Sequence, residues 1–131
     1  MSEHDAPRRL LVSCLCAEWC GSCRDYRATF DALAVQLAAS ADFAWIDVED
    51  EADALGDLDI DNFPTLLIAE GDTLRFLGVV TPQPQTAERL IRSAIAGELV
   101  APADAVLVRR VRAIAAAAAA SPSSPPSPPS A

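Results

Sequence analysis

Apolar positions along the chain fall into short blocks whose spacing changes from block to block. Leu10 to Cys16 is apolar at six of seven positions, the pattern of a strand buried on both faces. Tyr26, Phe30, Leu33, Val35 and Leu37 then recur at near-helical spacing, which predicts a helix over 21–40. Phe43 to Val48 reads as a second strand, and 51–58 as a short helix inside an acidic stretch. Thr65 to Ala69 and Thr73 to Val79 read as two strands, and Glu70-Gly71-Asp72 supplies the turn between them. Thr86 to Gly97 is a predicted helix with Leu90, Ile91, Ala94 and Ile95 on its apolar side and Gly97 as the stop.

The order is β-α-β-α-β-β-α, which predicts an α/β domain with helices packed on the faces of a sheet. Right-handed crossovers at the first two connections would make the first three strands parallel and the fourth antiparallel. Residues 102–120 predict an added Ala-rich helix. Pro102 suits its first turn, Asp104 its positive end, and Leu107, Val111, Ile114 and Ala118 form one stripe. The expected organisation is a polar leader over 1–8, a domain over 9–100, the added helix over 101–120 and a Ser/Pro tail over 121–131.

Charge narrows the possible partners. The net charge is −9, and every basic residue other than His4 is an arginine. So acidic a chain is a poor match for nucleic acid. Arg109, Arg110 and Arg112 form the one basic cluster, read as a solvated helix face with an anion site as the lesser option. Residues 47–61 hold eight acids and no base; such a run is usually solvated, and it could also select basic partners. No uninterrupted apolar stretch is long enough for a membrane helix. The N-terminus makes a poor signal peptide, so the expected location is the cytoplasm.

All four cysteines, Cys14, Cys16, Cys20 and Cys23, lie within ten residues. In a reducing compartment such clustering points to catalysis or metal binding. Cys20-Gly21-Ser22-Cys23 stands at the junction of a predicted strand and a predicted helix. The unpaired N–H groups and the dipole of a helix N-terminus stabilise a thiolate there. Cys20 is therefore the expected nucleophile, and Cys23, one turn on, the thiol that resolves a mixed disulfide. Gly21 lets a partner backbone approach, and Trp19 can shield the sulfur. Cys14 and Cys16, two apart on a strand, point to one face. They read as small core side chains, with an alternative disulfide between Cys14 and Cys23, or a zinc site built from C-x-C and C-x-x-C, as competing readings.

Ala17-Glu18-Trp19-Cys20-Gly21-Ser22-Cys23 resembles the active-site segment of the thioredoxin family. Phe63-Pro64-Thr65-Leu66-Leu67 resembles that family's segment around its cis-proline, and Gly78 resembles the glycine that follows its last strand. The resemblance spans roughly residues 9–98. It implies a thioredoxin-like fold lacking the first strand and helix: a mixed four-stranded sheet with helices on its faces, plus the added C-terminal helix. It also implies a cis Pro64 facing the cysteine pair, with Phe63 hydrogen-bonding an extended substrate.

Catalysis is thus expected of Cys20 and Cys23, and substrate binding of Trp19, Gly21, Ser22, Phe63, Pro64 and Gly78. Protein disulfides would be the partners and a reductase or glutathione the electron donor, with no cofactor and a monomer or weak dimer as the working unit. The alternative function is a binding, assembly or redox-sensing module without turnover, and a zinc-binding protein stands behind it.

Three departures from the family follow from the same alignment of residues. Ser22 stands where the family has proline. Cys14 takes the place of a buried aspartate, and Trp45 that of its lysine partner. The usual proton acceptor for the resolving thiol is therefore missing, and water, Cys14 or Asp47 would have to serve. The missing first strand leaves the edge at Phe43–Val48 open, and the added helix could cover the exposed sheet face or the edge could pair in a dimer.

Overall fold

The computed structural model describes residues 9–17, 21–55, 64–81 and 83–120. The elements are β1 (Leu10–Cys16), α1 (Gly21–Gln36), β2 (Ala41–Asp47), α2 (Ala52–Leu55), β3 (Thr65–Glu70), β4 (Thr73–Val79), α3 (Pro84–Ile95) and α4 (Ala105–Ala120). The leader 1–8, the tail 121–131 and part of the acidic run lie outside the described residues.

One mixed sheet has the order β2-β1-β3-β4. β1 pairs parallel with β2, with Cys14 opposite Trp45 and Cys16 opposite Asp47. β1 pairs antiparallel with β3, Leu15 standing opposite Thr65. β3 pairs antiparallel with β4. The expected parallel third strand is therefore corrected: β3 runs against β1. A return crossover needs an element that travels back along the whole sheet. β3 accordingly begins at the end of the sheet where β2 stops, Thr65 standing opposite Leu15 and Asp47 opposite Cys16.

β1 is buried at every position because helices cover both faces. Leu10, Val12, Cys14 and Cys16 pack against Tyr26, Phe30, Leu33 and Leu37 of the α1 segment and Ala87, Ile91 and Ala94 of α3. Leu11 and Leu15 face the other way, with Ile46, Leu55 and Leu67, under Leu107, Val108 and Val111 of α4. The added helix thus covers the second face, one of the two options the sequence left open. Among the described residues β2 is an edge strand, paired on one side only. Two predicted core residues fall off their stripes: Val35 is 81% exposed and Ile95 44%. Val35 sits two residues from Leu33, on the opposite side of the helix.

Several ends are fixed as the sequence suggests. Gly71 has φ 61°, which favours glycine in the tight β3–β4 turn. Gly97, at φ 78°, closes α3, and Glu98 N–H donates back to the Ser93 carbonyl at 2.9 Å. Pro102 lies before α4 rather than in its first turn, and Asp104 takes the capping role: its Oδ1 accepts from Leu107 N–H at 3.2 Å. Arg9 binds the carbonyls of Ala38, Ala39 and Ala41 and pairs with Asp42 at 2.8 Å, pinning the start of β1 to the end of the α1 segment.

The basic cluster on α4 lies on an exposed face, as its solvated reading expects, and it also makes fixed contacts. Arg110 donates to the Leu55 carbonyl at 3.0 Å and Arg112 to the Gly71 carbonyl at 2.8 Å, while Arg109 lies 3.6 Å from Asp72. These arginines brace the helix against α2 and the β3–β4 turn. Among the described residues no helix is long and apolar enough to cross a membrane.

Candidate redox site

The carboxyl end of β1 meets the amino end of α1, and the sulfurs gather at this junction. Cys16 is the last residue of β1 and Cys23 the third of α1. Their side chains form a disulfide, with Cα atoms 5.8 Å apart. Both are 1% exposed. Cys14 lies on the same strand face, its Sγ 3.5 Å from Sγ of Cys16. A disulfide sulfur carries no proton, so Cys14 is the donor in this contact.

The pairing was not anticipated. Cys23 is expected to bond with Cys20, and Cys14 is the strand cysteine weighed as its alternative partner. The structure joins Cys23 to Cys16 instead. The signal that could have found it is the C-x-C spacing itself, since it places both strand sulfurs under the same helix. Trp19, Cys20 and Phe63 lie outside the described residues, as does the side chain of Ser22.

The sheet register brings the remaining candidates to this end. Asp47 is the β2 neighbour of Cys16, whose carbonyl accepts from Val48 N–H at 2.8 Å. The β1–β3 register, continued one step past Leu15–Thr65, puts buried Pro64 opposite Cys16. The Pro64 carbonyl accepts from Val80 N–H at 3.1 Å. Asp47, Cys16, Pro64 and Val80 therefore stand abreast, one per strand or strand end.

Two rows inward lie Trp45, Cys14, Leu66 and Gly78. Gly78 is thus inside β4 rather than after the last strand, because β4 continues to Val79. A Cβ there would meet the Phe76 ring at 3.2 Å. Gly21, the first residue of α1, is exposed and open to approach, with nothing within 4 Å of where a Cβ would be.

Charge around the sulfurs is arranged from two sides. Burial pushes the Cys14 thiol up to about 12, with Arg27 opposing the rise. Held protonated near neutral pH, it is a hydrogen-bond donor and a poor proton acceptor. Arg27 lies over the Trp45 ring, 4.8 Å from its centroid, and Phe30 packs edge-on against that ring at 5.6 Å. A groove of about 540 Å³ opens beside Cys23, with Arg24 and Arg27 on one wall and Asp47 and Asp50 on the other. Oδ1 of Asp47 accepts from the N–H groups of Glu49 and Asp50 at 2.8 and 3.1 Å, which fixes the turn after β2.

The sequence profile of thioredoxin matches residues 4–92, more than half of the chain. The chain belongs to the thioredoxin family. Solved structures of similar fold include the germline-specific thioredoxin Deadhead of Drosophila melanogaster (TM-score 0.59, 19% identity, 70% of this chain and 86% of that one). Thioredoxin of Trypanosoma brucei brucei has a TM-score of 0.59 at 20% identity, covering 73% and 87%. Oxidised mitochondrial thioredoxin 3 of Saccharomyces cerevisiae has a TM-score of 0.57 at 21% identity, covering 66% and 79%. No curated protein matches the chain.

Thioredoxins as a family carry out thiol–disulfide exchange, and neighbouring sulfurs able to bond are what that chemistry needs. Cys14 and Trp45, two of the departures that the sequence resemblance implies, are cross-strand neighbours two rows inward from Cys16 and Asp47. Zinc competes with the disulfide: Cys16 and Cys23, bonded to each other, are not available as thiolate ligands. Among the described residues no group of three or more His, Cys, Asp or Glu is placed to hold a metal ion.

Proposed function

We propose that this chain is a dithiol–disulfide oxidoreductase that works mainly as a protein disulfide reductase in a reducing compartment, the cytoplasm. The Cys20 thiolate attacks a sulfur of the substrate disulfide, forming a mixed disulfide and releasing one substrate thiolate. The Cys23 thiolate then attacks Cys20 Sγ, releasing the second substrate thiolate and leaving a Cys20–Cys23 disulfide. Two electrons pass from the dithiol to the substrate, and a reductase or glutathione returns them.

The observation that supports this reading is the state of Cys23. It lies in the first turn of α1, at the end of the sheet where Pro64 and Asp47 flank Cys16, and its sulfur is in a disulfide. A cysteine so placed is a redox position and not an inert core side chain. The helix N-terminus favours its thiolate, and the groove beside it gives a departing proton a route past Asp47. With Cys14 held protonated, Asp47 and water are the better acceptors. Pro64, with Phe63 and Trp19, would position an extended partner segment, and Gly21 would admit its backbone.

Insulin reduction by the full chain, compared with Cys20→Ser, tests this reading. Loss of the rate to the uncatalysed background is expected, and equal rates would reject the assignment.

A further inference from the structure

Cys23 is asked to do two things. The function proposed above needs it free to resolve a mixed disulfide at Cys20, yet the structure shows it bonded to Cys16. We propose that Cys16 is a second redox partner of Cys23 and that the Cys16–Cys23 disulfide is a switched-off form in which the resolving thiol is withheld. This inference rests on the reading of Cys20 and Cys23 as the exchanging pair and assigns that pair a regulator.

The geometry supports a built device. Cys16 ends a strand buried at every position, and α1 begins only five residues later. The strand end and the helix start hold the two Cα atoms 5.8 Å apart, within the usual span of a disulfide. Forming this bond therefore asks nothing of the sheet. Cys14 donates its S–H to Cys16 Sγ at 3.5 Å. The same donor would stabilise Cys16 as a thiolate whenever the bond to Cys23 opens, because a hydrogen bond to a charged acceptor is the stronger kind. Burial keeps Cys14 protonated and thus available as that donor.

The switch needs no external oxidant. A turnover with a substrate disulfide leaves Cys20–Cys23 oxidised and Cys16 a thiol. Cys16 gives up its proton, and its thiolate attacks Cys23 Sγ. The Cys16–Cys23 bond forms, the Cys20–Cys23 bond breaks, and Cys20 leaves as a thiolate that takes up a proton. One disulfide is exchanged for another, Cys16 is oxidised, Cys20 is reduced, and the electron count is unchanged. The product carries a single free nucleophile at Cys20. Such a form captures a substrate as a mixed disulfide and cannot resolve it through Cys23.

The sequence provides a direct assay. Cleavage after Glu18 and after Arg24 separates a peptide holding Cys14 and Cys16 from one holding Cys20 and Cys23. A Cys20–Cys23 bond leaves the two peptides apart, and a Cys16–Cys23 bond joins them. The full chain is equilibrated with oxidised glutathione, quenched in acid, alkylated and cleaved. Joined peptides are expected from the wild type and from Cys20→Ser. They are expected to survive Cys14→Ala and to vanish in both Cys16→Ala and Cys16→Val, the second of which refills the buried position.

Joined peptides that persist without Cys16 would overturn the proposal. So would joined peptides confined to Cys20→Ser, or found in neither protein. The insulin assay of Cys20→Ser is scored separately: a retained rate there would sink the catalytic reading whatever the peptide map shows.

Discussion

The two faces of the sheet are equally dry and chemically unlike. Below β1, Leu11 and Leu15 meet the aliphatic Ile46, Leu67, Leu107, Val108 and Val111, and the buried Ser13 hydroxyl between them has no hydrogen-bond partner among the described residues. Above it, Cys14, Cys16 and Cys23 share the interior with Tyr26, Phe30 and the edges of Phe43 and Trp45. Tyr26 is 2% exposed, yet its hydroxyl has no hydrogen-bond partner among the described residues. One face gains stability from area removed from water. The other gives up some of that gain to hold polarisable sulfurs close to a helix N-terminus and a buried phenol. Alternate residues of one strand therefore carry different work, because consecutive side chains point to opposite faces.

That division can be broken most forcefully from the aliphatic side. Val108 is fully buried beneath α4. Val108→Asp places a carboxylate among aliphatic side chains, and a loss of roughly 4 kcal/mol or more is expected. Urea denaturation read by far-UV circular dichroism measures it. A change below about 1 kcal/mol would mean that α4 is not part of the folded unit.

Alkaline pH probes the sulfur face alone. Burial raises the Cys14 thiol from 9.0 to about 12. Burial, with the Cys14 charge adding to it, raises the Tyr26 hydroxyl from 10.0 to about 12. Both groups become charged by losing a proton, and the unfolded chain loses it at the lower pH. Their contribution to stability is thus complete below pH 9 and falls as pH climbs from there through about 12. Urea midpoints are expected to drop steadily above pH 9, and Cys14→Ala should flatten the slope. A midpoint unchanged between pH 8 and 11 would contradict the burial of both groups.

The smallest effect sharpens the contrast. Removing a buried hydroxyl that has no partner ends a desolvation cost and leaves no new orphan. Tyr26→Phe is therefore expected to change stability by no more than about 1 kcal/mol, with the gain on the side of the variant. A loss of about 2 kcal/mol or more would show that the hydroxyl has a partner.

How much of this was legible depended on whether the information was local. Thr73 to Val79 was readable as a strand to the residue, because a turn signal and a run of strand formers sit side by side. Gly97 announced the end of α3 for the same reason. The direction of β3 was not readable from the order of elements, since that order is compatible with a third strand running either way. The acceptors of Arg110 and Arg112 are backbone carbonyls of Leu55 and Gly71, distant in sequence and carrying no side-chain signature. Cys14 and Cys16 were placed together on one face by strand alternation. Which of them bonds Cys23 depends on where the strand stops relative to the helix start, and cysteine spacing alone does not fix connectivity.

The central claim is that Cys23 is a redox-active thiol. Titrating the full chain across a range of reduced and oxidised glutathione, with alkylation of Cys23 counted by mass at each ratio, tests it most directly. The account predicts one two-electron transition, with Cys23 alkylated under reducing conditions and protected under oxidising ones. A Cys23 that stays alkylatable across the whole range would contradict it.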